Sequence, residues 1–210
     1  MVEIVVLGGS GHAKVLISVL KKADYRVIGY VDPIDHGTVL EVPWLGEDEV
    51  LPDIRSRHPN CRAAIGIGKI DAGSGRRWEL HAQLQSMGFI MPPIISPHAV
   101  VNEGVDLGAA TVVFDGAVIN SGTQIGQAGI INTNSTVEHD CRIGDNVHIS
   151  PGATLTGGVL IGDHCMVGIG ANIIQGISIC DNCMIGAGAT VVEDIKKPGT
   201  YIGSPARRIR

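Results

Sequence analysis

Aromatic side chains are nearly missing from this sequence. Only 3% of its 210 residues are Phe, Trp or Tyr. An ordinary globular core leans on such side chains, so the interior must be built from something smaller. An excess of positive charge is missing as well. Sixteen Lys and Arg face 21 Asp and Glu, for a net charge of −5 at pH 7. That balance argues against nucleic acid as a partner. Met1 to Gly9 lacks the basic start and long apolar run of a secretion signal. The uncharged stretch around 146–162 is broken by Gly, Pro, Asn and His, so no membrane span is expected. A cytoplasmic protein with reduced thiols fits these absences.

What is plentiful is glycine, with 29 residues, alongside Val, Ile and Ala. Their arrangement is periodic. Every sixth residue from Ile95 to Val191 is Ile, Val or Leu. Four positions beyond each lies a mostly small residue, such as Ala117, Thr123, Ser135, Cys141, Ala153, Cys165, Ala171, Cys183 or Ala189. Glycine often follows the aliphatic residue, as at Gly126, Gly144, Gly162, Gly168 and Gly186, where it is expected to serve a turn of permissive φ. A period of six is neither the 2 of a flat strand nor the 3.6 of a helix. It predicts three short strands per coil of 18 residues, with the aliphatic and small columns pointing inward. The expected fold over 92–210 is a left-handed parallel β-helix of hexapeptide repeats with a C-terminal tail.

The register also disposes of the cysteines. Cys180 and Cys183 have the two-residue spacing of zinc and redox motifs. Cys141, Cys165 and Cys183 fall in the small inward column, however, and Cys180 sits beside an inward Ile. Buried structural thiols are expected, and no metal.

Residues 1–91 follow another pattern. Glu3 to Leu7 reads as a buried strand, Gly8-Gly9-Ser10-Gly11 as a tight turn, and His12 to Lys22 as a helix. Arg26 to Val31 and Arg62 to Ile67 read as further strands, Asp71 to Met87 as a helix, and Phe89 to Met91 as the start of another strand. Alternating strands and helices predict a small parallel, Rossmann-like α/β domain. The Pro-rich run Met91 to Pro97 marks its boundary with the β-helix.

Two places invite chemistry. The turn Gly8 to His12 joins a strand to a helix, the setting of a phosphate cradle. Asp32, ending the second strand, is placed to meet a ribose or base. Gly66 to Lys69, ending the third, would line the same crevice. A tight turn and a capping carboxylate explain the same residues without a ligand. The other place is Glu138-His139-Asp140. His139 lies two residues past an inward Val, near a corner, where it is expected to be exposed. An imidazole beside a carboxylate is a natural general base, although a solvated polar corner is the plainer reading. His148 also reads as an outward rim residue and His164 as surface. The spacings between His139, His148 and His164 are not whole coils, so one chain does not gather them around a zinc ion.

Together, the hexapeptide series, the Gly8 to His12 turn, Glu138-His139-Asp140-Cys141 and the ending Gly203-Ser204-Pro205-Ala206-Arg207 resemble the sialic-acid O-acetyltransferase and bacillosamine-pathway N-acetyltransferase family. The resemblance covers nearly the whole chain. It implies a homotrimer with acetyl-CoA as co-substrate in grooves between subunits, and a nucleotide-linked amino sugar held by the N-terminal domain. It implies His139 as catalytic base supported by Asp140. Asn132 and His148 would line the acetyl-CoA and sugar pocket, with Gly157, Ile169 and Ala187 along the pantetheine arm. Gly8, Ser10, Gly11, His12, Asp32, Gly66 and Lys69 would meet the nucleotide-sugar. The activity implied is N-acetylation of the 4-amino group of a nucleotide-linked 4-amino-4,6-dideoxy sugar. O-acetylation of sialic acid or another sugar is the nearest alternative. A metal-dependent hydratase of the carbonic-anhydrase type, also a β-helix, is a distant one.

Overall fold

The six-residue repeat becomes three parallel sheets wound around one axis. A computed structural model describes residues 1–73 and 75–209. Strands two residues long pair with strands 18 positions away, as Ile131 does with Val113 on one side and Ile149 on the other. The sheets contain five, six and eight strands. Both predicted columns point inward. Ile131, Val137, Ile149 and Leu155 are fully buried, and so are Ala117, Cys141, Ala153 and Cys165. Burying each large aliphatic contributes about 1.5–3 kcal/mol, so repetition does the work that aromatics do elsewhere. The first coil has no coil beneath it. Ile95 is therefore 38% exposed, and Val101 and Leu107 are only half-buried.

The turn glycines require a correction. Gly126, Gly144 and Gly162, which follow the aliphatic residue, do not have positive φ. They are small because the next coil passes close by. A Cβ on Gly144 would come within 2.3 Å of Asp163 Oδ1 and 2.9 Å of Asp163 N. The left-handed residues lie three positions after the aliphatic one. Every sixth residue from Gly104 to Gly188 has φ between 52° and 77°. Gly, Asn and Asp fill most of these corners, as left-handed backbone prefers.

The N-terminal domain is a four-stranded parallel sheet. Its strands are β1 (Val2–Leu7), β2 (Tyr25–Val31), β3 (Trp44–Gly46) and β4 (Arg62–Ile65), in the order β3-β2-β1-β4. Helix α1 (Gly11–Lys22) packs Leu16, Ile17 and Leu20 against β1 and against Ile94, Val112 and Ile130 of the β-helix. Those three occupy outward positions 18 apart. The matching outward positions of another sheet are Asp106, Gln124 and Arg142. One face of the prism is thus apolar on its outside, and the α/β domain covers it.

Several boundaries differ from the sequence expectation. Strand β3 and helix α2 (Leu51–Arg57) had no periodic signal long enough to read. Strand β4 stops at Ile65 and helix α3 (Gly75–Ser86) starts at Gly75 rather than Asp71. The loop through Gly73 is drawn onto the β-helix, where Gly73 N–H donates to the His164 carbonyl at 3.0 Å. Ser74, within the predicted helix, and Arg210, within the predicted tail, lie outside the described residues. Phe89 to Met91 forms no strand, although Ala63 N–H bonds the Ile90 carbonyl at 3.0 Å. Pro92 and Pro93 follow with no N–H to extend the ladder. The tail is ordered: Gly199–Ile202 pairs with Cys183–Ile185, and Arg207–Arg208 folds back on it. Among the described residues, no helix is long and apolar enough to cross a membrane.

Candidate active site

His139 stands on a corner of the β-helix. Asp140, the next residue, occupies the left-handed corner position with φ 59°. A carboxylate there tolerates the backbone and also reaches the ring: Asp140 Oδ2 lies 2.8 Å from His139 Nδ1. With Nδ1–H donated to Asp140, Nε2 carries the lone pair that a base needs. Gly157, one coil on, lies against the ring. A Cβ on Gly157 would come within 2.7 Å of His139 Cε1 and Nε2. Only glycine lets the imidazole lie flat on the wall. His139, Asp140 and Gly157 are thus brought together, and the His139 side chain is 57% exposed.

Ile169 and Ala187 are exposed on a different corner. They stack one coil apart, with Gly188 N–H donating to the Ile169 carbonyl at 2.8 Å. The repeat register separates them from the His139 column by two thirds of a coil. One chain therefore does not converge all the implied acetyl-CoA residues on its own His139.

His148 corrects the expectation of a rim residue. It is the next outward residue after Ile130 in the covered row and is only 7% exposed. Its Nδ1 meets the Lys69 carbonyl at 2.7 Å, and its Nε2 meets Asn132 Nδ2 at 3.0 Å. The first contact makes Nδ1 the donor and leaves Nε2 to accept. Burial lowers its pKa to about 4, so the ring is neutral near pH 7. Asn132 and His148 are paired with each other in the seam between domains. His164, expected at the surface, also belongs to this seam, packed edge-on against Trp78 at 5.4 Å.

Lys69 and Gly66 do not line an open crevice. Lys69 is 6% exposed, and its ammonium donates to the Gly73 carbonyl. Gly66 is buried because a Cβ would strike Val6 Cγ1 at 2.8 Å and Ala13 Cβ at 2.9 Å, so it serves helix–strand packing. His12 is turned into the seam, edge-on to Phe114 at 5.3 Å, with its pKa lowered to about 3 chiefly by burial. Arg77 gave no signal in the sequence. It is fully enclosed and donates to the carbonyls of Ala128, Ile65, Ile67 and Ala110 at 2.8–3.1 Å, bolting the two domains together.

The glycine turn does border a cleft. Gly9, Ser10 and Gly11 line a space of about 460 Å³ with Lys14, His36, Thr38, Val39 and Leu40. Lys14 and His36 were missed: a single Lys on a helix and a His in a loop carry no periodic mark. Gly8 has φ 114°, which only glycine adopts easily. Asp32 is used locally, accepting from Gly9 N–H at 2.8 Å and Ile34 N–H at 2.9 Å. Its carboxylate braces the turn. The thiols agree with the register: Cys141, Cys165 and Cys183 are buried, and Cys180 Sγ lies 3.6 Å from Cys183 Sγ. Among the described residues, no group of three or more His, Cys, Asp or Glu is placed to hold a metal ion.

Residues 3–72 match the PglD N-terminal domain family, and residues 116–157 and 158–192 match the bacterial transferase hexapeptide family. PerB from Caulobacter crescentus, solved with CoA and GDP-perosamine, superposes with a TM-score of 0.92 at 36% identity, over 99% of this chain and 97% of that one. The chain belongs to the hexapeptide-repeat sugar acetyltransferases of the bacillosamine-pathway type. The acetyltransferase domain of PglB from Neisseria gonorrhoeae, in complex with acetyl coenzyme A, matches with a TM-score of 0.92 at 30% identity over 99% of both chains. WeeI from Acinetobacter baumannii matches at 27% identity with a TM-score of 0.86, again over 99% of both. Perosamine N-acetyltransferase from C. crescentus has also been solved with one histidine changed to Asn or to Ala, each with CoA and GDP-perosamine. No curated protein matches the chain.

Proposed function

We propose that this acetyltransferase moves the acetyl group of acetyl-CoA onto the 4-amino group of a nucleotide-linked 4-amino-4,6-dideoxy sugar, with His139 as general base. The observation that carries the reading is the His139–Asp140 pair lying on Gly157 at an open corner. Its support is the 36% identity to PerB, a protein that holds CoA and GDP-perosamine.

The chemistry follows from that geometry. The amine nitrogen attacks the thioester carbonyl while His139 Nε2 accepts its proton. The C–N bond forms, the C–S bond breaks, and the CoA thiolate leaves and takes up a proton. Asp140 steadies the imidazolium formed at His139. Holding both substrates in one groove makes the attack effectively intramolecular.

A homotrimer supplies the groove. His139 on one corner and Ile169 with Ala187 on another meet only if a second copy brings its corner alongside. A cytoplasmic location fits five cysteines that are all free.

The test is a screen of GDP-, UDP- and dTDP-linked 4-amino sugars with acetyl-CoA, following free thiol and the mass of the sugar product. Sialic acid is the competing acceptor. Thiol release with sialic acid and with none of the amino sugars would overturn the N-acetyltransferase reading.

A further inference from the structure

The pair at the open corner is seated from below as well as from above. Asp140 N–H donates to the Ser121 carbonyl of the preceding coil at 3.1 Å. Gly122 stands 18 residues before Asp140, on the same corner one coil down, with φ 76°. A Cβ on Gly122 would come within 2.7 Å of Asp140 Oδ1. The carboxylate therefore lies on the bare backbone of Gly122, with Oδ1 over the glycine and Oδ2 at 2.8 Å from His139 Nδ1.

The left-handed backbone alone does not call for glycine here. Asn134, Asp140 and Asn146 hold the same conformation, with φ between 52° and 59°. What glycine adds is room. Gly116 stands beneath Asn134, and a Cβ on it would strike Asn134 Oδ1. Ala128 stands beneath Asn146, with its methyl in that place. The Asn146 amide instead reaches the Gly73 carbonyl at 3.4 Å and His164 Nδ1, one coil above, at 3.2 Å. Among these three corners, the polar side chain lies on the coil below only where that coil offers glycine.

We propose that Gly122 is a positioning residue for acetyl transfer, seating the Asp140 carboxylate against His139 by leaving its own Cβ place empty. The inference rests on the base assignment given above. With Oδ2 in place, Nδ1 keeps its hydrogen and Nε2 keeps its lone pair. A methyl at position 122 takes the place of Oδ1, so the carboxylate has to swing away. The neutral ring is then free to carry its hydrogen on Nε2, the nitrogen that must accept the proton of the amine. The imidazolium formed in that step also loses its partner.

Steady-state acetylation of the accepted nucleotide-sugar by the full-length protein tests this. Gly122→Ala is expected to lower kcat about ten- to a hundredfold, the scale of losing a group that orients a reacting side chain. KM for both substrates should stay within about twofold, because no binding surface is altered. Gly104→Ala is the control for backbone strain. Gly104 holds the same corner one coil lower with φ 77°, and a Cβ on it would meet only Gly122 N, at 3.6 Å. Its kcat should stay within about twofold of wild type. In an Asp140→Ala background, Gly122→Ala should cost nothing further, since the group it displaces is gone. If Gly122→Ala does not fold, Gly122→Asn takes its place, because Asn already holds this backbone at positions 134 and 146. A kcat within about threefold of wild type, or the same loss in the Asp140→Ala background, overturns the seat. If Asp140→Ala turns over at the wild-type rate while His139→Ala does not, the seat is overturned and the base assignment stands. If both turn over at the wild-type rate, both are overturned.

Discussion

His139 and His148 sit nine residues apart on the same regular wall, yet they live in opposite environments. The His139 corner is open, with its side chain 57% exposed and a carboxylate as its partner. The His148 face is roofed by the N-terminal domain, with a backbone carbonyl on one ring nitrogen and an Asn amide on the other. One ring is free to take a proton; the other is held neutral with both nitrogens engaged. His139 lies in a corner turn two positions past an inward aliphatic, whereas His148 lies in a strand one position before one, and what covers each sharpens that difference into chemistry.

That contrast breaks most sharply at His139. Replacing it with Ala should lower acetyl transfer by about a thousandfold, the usual scale for losing a general base. Because the side chain is largely exposed, the unfolding midpoint should hardly move. Thiol release and a denaturant titration on the same variant check both halves. Activity within about tenfold of wild type would leave the corner without its catalytic role.

The seam should show the reverse. Arg77→Met would leave four carbonyls, three of them buried, without their donor and is expected to cost about 3 kcal/mol of stability, with any loss of activity following from lost fold. Chemical denaturation measures this. A cost well under about 1 kcal/mol would mean that Arg77 is not the bolt between the domains.

The smallest effect is on the pH dependence of stability. Burial lowers His148 from 6.5 to about 4 and His12 from 6.5 to about 3. Below 6.5 the unfolded chain binds protons that the folded chain refuses, so stability rises with pH in this window. The contribution is present above pH 6.5 and is lost as pH falls towards 4. Denaturant midpoints near pH 7 and near pH 5 should differ, and His148→Gln should flatten part of the slope. Equal slopes in both proteins would place the protonation elsewhere.

The β-helix was legible because one interaction repeats. Each aliphatic residue from Val113 to Ile173 meets the same kind of neighbour one coil above and below, so a single period encodes the sheets, the core and the fate of the cysteines. Even there, glycine was misread. The sequence shows that Gly144 is small, but only the stacked coils show that Asp163 needs the room. A second period was present and unread. Ile94, Val112 and Ile130, spaced by 18, announce that one outer face is covered. In the N-terminal domain, β1, α1 and β2 had clear patterns. Strand β3 and helix α2 are too short to carry one, and their place depends on partners far along the chain.

His139 and Asp140 were legible as a pair because adjacency alone brings them within reach. Lys69 was misassigned because its position after β4 suggests a crevice, whereas the loop that carries it turns onto the β-helix. Lys14 and His36 come to line one cleft only when the loop after β2 folds back over α1.

By itself, then, the sequence determined the coil, its 18-residue repeat, the small-residue interior and the corner on which His139 stands. Those follow from local periodicity and the solvent preference of each side chain. Only the tertiary structure decided which outer face is buried, which histidine is neutral and which lysine reaches the cleft. These depend on how two differently built domains press together, and that contact is made between residues whose spacing in the chain has no period.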